Sequence, residues 1–230
     1  MGKAFSLDSP AMQFFSQAFD LFVLNLITIL CCLPIVTAGA SLTAMHYVLY
    51  HKVIGDDRGA VKPFFKSFRE NLGQATVIWL LILAGAALIA ADIRIRDLHP
   101  QTILAQRVDL LILLPAAVLI MVFLYVFPIL SRFANTIPRT VANALTAAIV
   151  FFPRTIAMAL IQGAWLWILW NFPLRLTPFL ILLGFVFPWY LCSKIYKKVL
   201  LRMEGAQLSE KEIEENEIEI EEIEMGLEEA

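Results

Sequence analysis

Charge is scarce where a pump or a membrane enzyme would need it. Of 230 residues, 17% are Asp, Glu, Lys or Arg and 60% are hydrophobic. No Asp, Glu, Lys, Arg or His falls in the middle of any long apolar run. A proton-coupled pump needs a titrating group inside the membrane, so this absence weighs against that class. The three histidines, His46, His51 and His99, are separated and lack partners at ligand spacing. There is no glycine-rich phosphate loop ending in Lys-Ser/Thr, no HExxH pair and no EF-hand loop. The expectation is a protein that is not an enzyme, with no catalytic, cofactor-binding or metal-binding residues, no cofactor and no nucleic-acid partner. Cysteine is equally sparse. Cys31, Cys32 and Cys192 all lie in apolar segments without the paired spacing of a disulfide framework or zinc site, and read as buried thiols.

What the chain has in abundance is apolar sequence, with a mean hydropathy of +0.75. Soluble chains are about 45–50% apolar, so the excess here must meet lipid. Five runs approach the ~20 residues that cross a ~30 Å hydrocarbon core: 21–38, 75–92, 109–131, 155–172 and 176–193. The segment Val141 to Phe152 before the fourth is also apolar, so that span could begin earlier. Ala38-Gly39-Ala40 resembles a signal cleavage site, but the flank before the first run carries Asp8 and Asp20 against Lys3 alone. A secretory signal begins with a basic region, so the run reads as a retained span.

Lysine and arginine are retained on the cytoplasmic side of such proteins. Lys52, Arg58, Lys62, Lys66 and Arg69 follow span one; Arg132, Arg139 and Arg154 follow span three; Lys194, Lys197, Lys198, Arg202 and Lys211 follow span five. Those 13 face Lys3, Arg94, Arg96, Arg107 and Arg175 on the other side. The expected topology is five spans in the plasma membrane, N-terminus outside and C-terminus cytoplasmic, with Asp20 and Asp92 near outer ends.

Two inner segments look amphipathic. Ser41 to Val53 places Leu42, Met45, Val48 and Leu49 at helical spacing, and so suits a helix lying along the headgroups, with His46 and His51 as interfacial polar residues. Pro63 opens a second short helix in which Phe64, Phe65 and Phe68 alternate with Lys62, Lys66 and Arg69. Such segments anchor at the water–lipid boundary or form a docking platform for a cytoplasmic partner. The candidate cytoplasmic docking surface is Lys62, Lys66, Arg69, Arg139 and Arg154. Leu33-Pro34-Ile35, Phe127-Pro128-Ile129 and Phe187-Pro188-Trp189 suggest a duplicated unit of span, surface helix and span. Within the spans the polar groups are few: Asn25, Thr28 and Gln162. Asn25 and Gln162 either line a polar pathway or bind neighbouring helices. The small residues Ala86, Ala87, Ala90 and Ala91 fit close helix packing, and the tryptophans fit an aromatic belt.

The net charge of −2 hides a segregation. Residues 204–230 carry 12 acidic residues and one Lys, a net of −11, whereas residues 1–203 carry 17 basic against 8 acidic, a net of +9. The organisation is therefore a membrane domain, 1–203, and an acidic cytoplasmic tail, 204–230. Glutamates four apart repel, so the tail is expected to be poorly helical alone. It is either solvated or folded on a basic partner or on the body's own cationic face.

Asp20, Asn25, Cys31 to Ser41 (CCLPIVTAGAS), Thr43-Ala44, Phe64 to Asn71 (FFKSFREN) and Gln74-Ala75 together resemble the YesL family of bacterial membrane proteins, a domain of unknown function. The resemblance covers about residues 5 to 200, and the Glu-rich end departs from it. It implies a small multi-pass plasma-membrane protein of Gram-positive-type bacteria, often encoded beside carbohydrate-import ABC systems and polysaccharide-degrading enzymes. It implies no activity and no site residues. The expected fold is all-α: a polytopic helical membrane protein of about five transmembrane helices with cytoplasmic interfacial helices. The expected function is an accessory or interaction component associated with carbohydrate uptake, its partners the bilayer and either ABC-type permease subunits or further copies of itself. The alternative is a small-molecule transporter or exporter with a pathway between helices.

Overall fold

The computed structural model describes residues 10–56, 59–98, 103–171 and 184–228. Among these there are seven α-helices and no strand: α1 (Pro10–Cys32), α2 (Ala38–Ile54), α3 (Val61–Leu98), α4 (Ile103–Leu130), α5 (Ile137–Val150), α6 (Phe152–Asn171) and α7 (Val186–Glu228). The expected all-helical class is what the chain forms. Four described stretches are long and apolar enough to cross a membrane: Phe15–Cys32, Val61–Ile95, Ile112–Leu130 and Phe152–Asn171. The first eight residues of the fifth expected span, 176–183, lie outside the described residues; its remainder begins at the start of α7.

α1 stops where Pro34 cannot continue it, since the ring fixes φ and the residue before it is pushed out of the helical region. A single 3-10 turn, Ile35–Thr37, reverses the chain. α2 then returns along α1. The Ser41 hydroxyl donates to the Thr28 carbonyl at 3.0 Å, and nearer the α1 start and the α2 end Lys52 Nζ sits 2.6 Å from Asp20 Oδ2. α1 and α2 are thus a tight antiparallel hairpin whose two open ends lie together. This corrects the expectation that Asp20 and Lys52 sit at opposite ends of a span. The expected first run, 21–38, is not one helix: α1 ends at Cys32 and 33–37 form the turn.

α2 is not a surface helix. Thirteen of its 17 residues are buried, among them Leu42, Met45, His46, Leu49 and Tyr50. Its amphipathic look comes from Ser41, Thr43, His46 and His51, polar side chains whose partners lie inside the protein. α3 packs antiparallel against it through small residues. A Cβ on Gly39 would lie 2.4 Å from the Ala75 carbonyl oxygen and 2.6 Å from Trp79 Cβ, so only glycine allows this approach. α2 ends on Gly55 in the left-handed region at φ +90°, whose N–H caps the carbonyls of His51 and Lys52.

The expected short helix from Pro63 is the first part of α3, which runs unbroken for 38 residues. Phe64 and Phe68 stack at 6.1 Å and face the core, with Phe64 fully buried, whereas Phe65 is exposed. The hairpin tip is hydrogen-bonded to α3 at Thr76 and Trp79, and α3 continues about 28 Å beyond Trp79 at 1.5 Å per residue. α4 descends beside α3, with Trp79 against Phe123 and Phe127. α5 is a separate helix and α6 begins at Phe152, which places the start of the fourth span there.

The suggested duplication is not what the chain forms. α1 and α3 run the same way, since α2 opposes both, whereas α4 and α6 pass each other antiparallel, with Tyr125 meeting Thr155 while Ile120 shares a cleft wall with Leu166. α7 packs its first four turns through Trp189, Cys192, Tyr196 and Leu200, then continues as one helix across residue 203 to Glu228. The tail is helical because it extends a helix already nucleated by packing, and each added residue then costs little.

Candidate functional site

The tip of the hairpin is Leu33 to Ser41. Turning a chain exposes carbonyls, and here every one that a hydrogen bond is seen to reach is met by a side chain or a local turn. Trp79 Nε1 donates to the Ile35 carbonyl at 2.8 Å and Thr76 Oγ1 to Val36 at 3.2 Å. Thr37 Oγ1 lies 2.8 Å from the Cys31 carbonyl and 3.0 Å from that of Pro34. Around these bonds Leu33, Ile35 and Val36 point outward and are exposed. Satisfied backbone beneath an apolar skin suits a medium that offers no hydrogen bonds.

Beside the tip is a cleft of about 570 Å³, walled by Cys32, Ala38 and Leu42 from the hairpin, Trp79, Phe123 from α4, Gln162 and Leu166 from α6, and Phe185 and Trp189. Its surface is overwhelmingly apolar. Gln162 is the one amide on it, and its Nε2 is 3.7 Å from Cys192 Sγ, a weak contact. Asn25, the other half of the expected polar pathway, is not part of this wall. It is fully buried, and its Oδ1 accepts the backbone N–H groups of both Phe185 and Val186 at 3.0 Å. Those are orphan donors at the start of α7, so Asn25 on α1 caps a helix 160 residues away. Asn25 therefore ties α1 to the start of α7, while Gln162 lies on the cleft wall beside Cys192.

Below the cleft lies a polar contact that residue patterns did not reveal. His46 Nδ1 is 3.0 Å from the Tyr196 hydroxyl, and the imidazole stands edge-on to Trp189 with centroids 4.7 Å apart. His46 is fully buried and its Nε2 has no hydrogen-bond partner among the described residues. The expectation of interfacial histidines is corrected for His46; its pairing spans 150 residues of sequence, beyond the reach of local spacing.

The cationic end lies where the hairpin opens. Lys62, Lys66 and Arg69 are exposed on the first turns of α3 and Arg139 is exposed on α5. None of them has an acidic partner within 4 Å among the described residues. Arg154 differs: it is only partly exposed, with its guanidinium over the Phe151 ring at 5.2 Å. No described contact joins Arg139 or Arg154 to the three cations of α3. Arg132 bridges the Tyr50 ring, at 5.3 Å, and Glu204 Oε1, at 2.5 Å. Burial pushes the Tyr50 phenol up, against the opposing pull of Arg132. Lys197 Nζ donates to the Val53 carbonyl at 3.0 Å, tying α7 to the same end. Among the described residues no three His, Cys, Asp or Glu side chains converge as a metal site would need.

An all-helical body with four described helices of spanning length and composition defines a polytopic helical membrane protein. Residues 21–93 match the family model described as "Protein of unknown function, DUF624". The matched stretch runs through α1 and α2 to the charged end of α3, so it contains the whole tip, Gly39 and the helix against which the hairpin packs. No curated protein and no solved structure matches the chain.

Proposed function

We propose that this chain is a non-catalytic accessory protein of the bacterial plasma membrane, of the YesL kind, which docks a cytoplasmic partner on its cationic end. Through the YesL resemblance the partner is assigned to the permease subunits of a carbohydrate-importing ABC system. The observation that carries the reading is the exposed row of Lys62, Lys66 and Arg69, without an acidic partner among the described residues, at the end where the hairpin opens and Lys197 packs.

The length of α3 supports a depth for the bilayer. Between the Arg69-Glu70 pair and Asp92 lie about 33 Å of helix free of charge, close to the ~30 Å of a hydrocarbon core. Trp79 is about 15 Å along it, so the hairpin tip ends near the midplane. α1–α2 is then a re-entrant hairpin entering from the cationic side, and both chain termini face the cytoplasm. This reading departs from the N-terminus-outside topology expected from the sequence, and the contact of Asp20 with Lys52 supports it.

Affinity capture of the full chain in mild detergent, with mass spectrometry of what is retained, tests the docking. Permease subunits should be recovered with the native chain and lost on Lys62→Glu/Lys66→Glu/Arg69→Glu. Capture that survives charge reversal sinks the proposal. The cleft of about 570 Å³ bearing Gln162 favours a second reading, a small-molecule route beside the hairpin tip. Solute flux in liposomes that disappears on Gln162→Leu, with no permease recovered, would replace the accessory role by that one.

A further inference from the structure

We propose that the corner where α5 gives way to α6 binds the phosphate of an anionic membrane lipid between Arg154 and Arg202. Both guanidiniums approach one ring: Arg154 Cζ is 5.2 Å and Arg202 Cζ 6.0 Å from the Phe151 centroid. Like charges gathered on one ring repel, and no described carboxylate lies within 4 Å of either. The nearest acid in sequence, Glu204, is held by Arg132. Arg154 Nη1 is buried and has no hydrogen-bond partner among the described residues. A buried cationic donor left unmatched is costly, and an aromatic face offsets only part of that cost. An anion seated there would remove both penalties. Phosphate oxygens suit the planar, forked donors of arginine, which bind them bidentately.

The surroundings choose a lipid over a soluble phosphate. Ile149, Val150, Phe152 and Ile156 flank the corner and are exposed, an apolar surface for which a free anion has no use. Arg154 stands two residues inside the start of a helix of spanning length, so on the membrane reading above it lies at headgroup depth with those apolar side chains toward the hydrocarbon. Lys198, exposed one turn before Arg202, adds a third cation. A headgroup on the arginines and chains along the apolar flank use both features at once. The proposal rests on α6 crossing the bilayer, but not on the identity of any protein partner.

The test is native mass spectrometry of the full chain in mild detergent, titrated with phosphatidylglycerol, with phosphatidylcholine, and with phosphatidylglycerol plus excess inorganic phosphate. Phosphatidylglycerol should bind at least tenfold more tightly than phosphatidylcholine and resist displacement by inorganic phosphate. Arg202→Gln, at an exposed position that leaves packing intact, should weaken it at least tenfold. Arg154→Gln should do the same, and Arg154→Lys should restore only part of the affinity because a point charge lacks the fork. Lys62→Gln/Lys66→Gln should change it less than twofold. The site is overturned by equal binding of the two lipids, by an unaffected Arg202→Gln, by an equal loss in the lysine variant, or by displacement with inorganic phosphate. Alkaline carbonate extraction of membranes separates the two levels: release of the chain defeats the spanning reading, while retention without lipid selectivity defeats the site alone.

Discussion

Around α2 the protein is solvated by itself, whereas along the far lengths of α3, α4 and α6 it is not. Leu49, Phe64, Tyr125, Phe127 and Leu200 are fully buried at the hairpin end, with Asn25, Thr28, Ser41 and His46 buried among them and hydrogen-bonded. Further along, Leu88 is 69% exposed, Leu114 70% and Trp170 87%. The residue types are nearly the same in both regions. What differs is the neighbour: side chains from four other helices in one, the surrounding medium in the other. Within the packed half, polar groups and glycine are tolerated because each has a partner or a close approach to make. In the other half, hydropathy alone is enough.

That contrast can be broken most severely at Gly39. Any side chain there meets the Ala75 carbonyl oxygen, which cannot move away as a flexible side chain could. Gly39→Leu should cost more than about 4 kcal/mol and abolish recovery of monodisperse protein in detergent. A variant that purified with native melting behaviour would refute the α2–α3 contact. Next comes Asn25→Leu, which leaves the Phe185 and Val186 N–H groups without their acceptor. At about 1–3 kcal/mol for each buried donor, a marked fall in thermal midpoint is expected, with the start of α7 losing hydrogen-exchange protection first. The smallest effect should be that of Leu114→Ala, within about 0.5 kcal/mol, because that side chain has few protein neighbours to lose. A loss as large as that of Asn25→Leu would mean that the far half is packed after all.

The helical class, the presence of long apolar helices and the segregation of charge were legible in the sequence, because each depends on composition along one helix. Asn25 was legible as a costly polar group and as one that holds helices, but its partner on α7 was not. α2 misled for a physical reason. A helix buried on all sides but carrying internally bonded Ser, Thr and His has the same residue pattern as one lying on a surface, and only tertiary contacts tell them apart. The first apolar run misled similarly: it reads as an isolated helix, whereas the turn at Pro34 sends the chain back along it and Thr76 and Trp79 hold the tip. The cations proposed for docking were visible as charges, but the placement of Arg154 over the Phe151 ring was not.

The sidedness of α1 tests the re-entrant hairpin most directly. In a background lacking Cys31, Cys32 and Cys192, single cysteines at Ser16, Leu33 and Lys62 can be labelled with a membrane-impermeant maleimide in right-side-out and inverted vesicles. Ser16→Cys and Lys62→Cys should label together, in inverted vesicles only, while Leu33→Cys stays unreactive in both. Labelling of Ser16→Cys from the outside face, with Lys62→Cys still reactive only from the inside, would make α1 a crossing helix and contradict the hairpin.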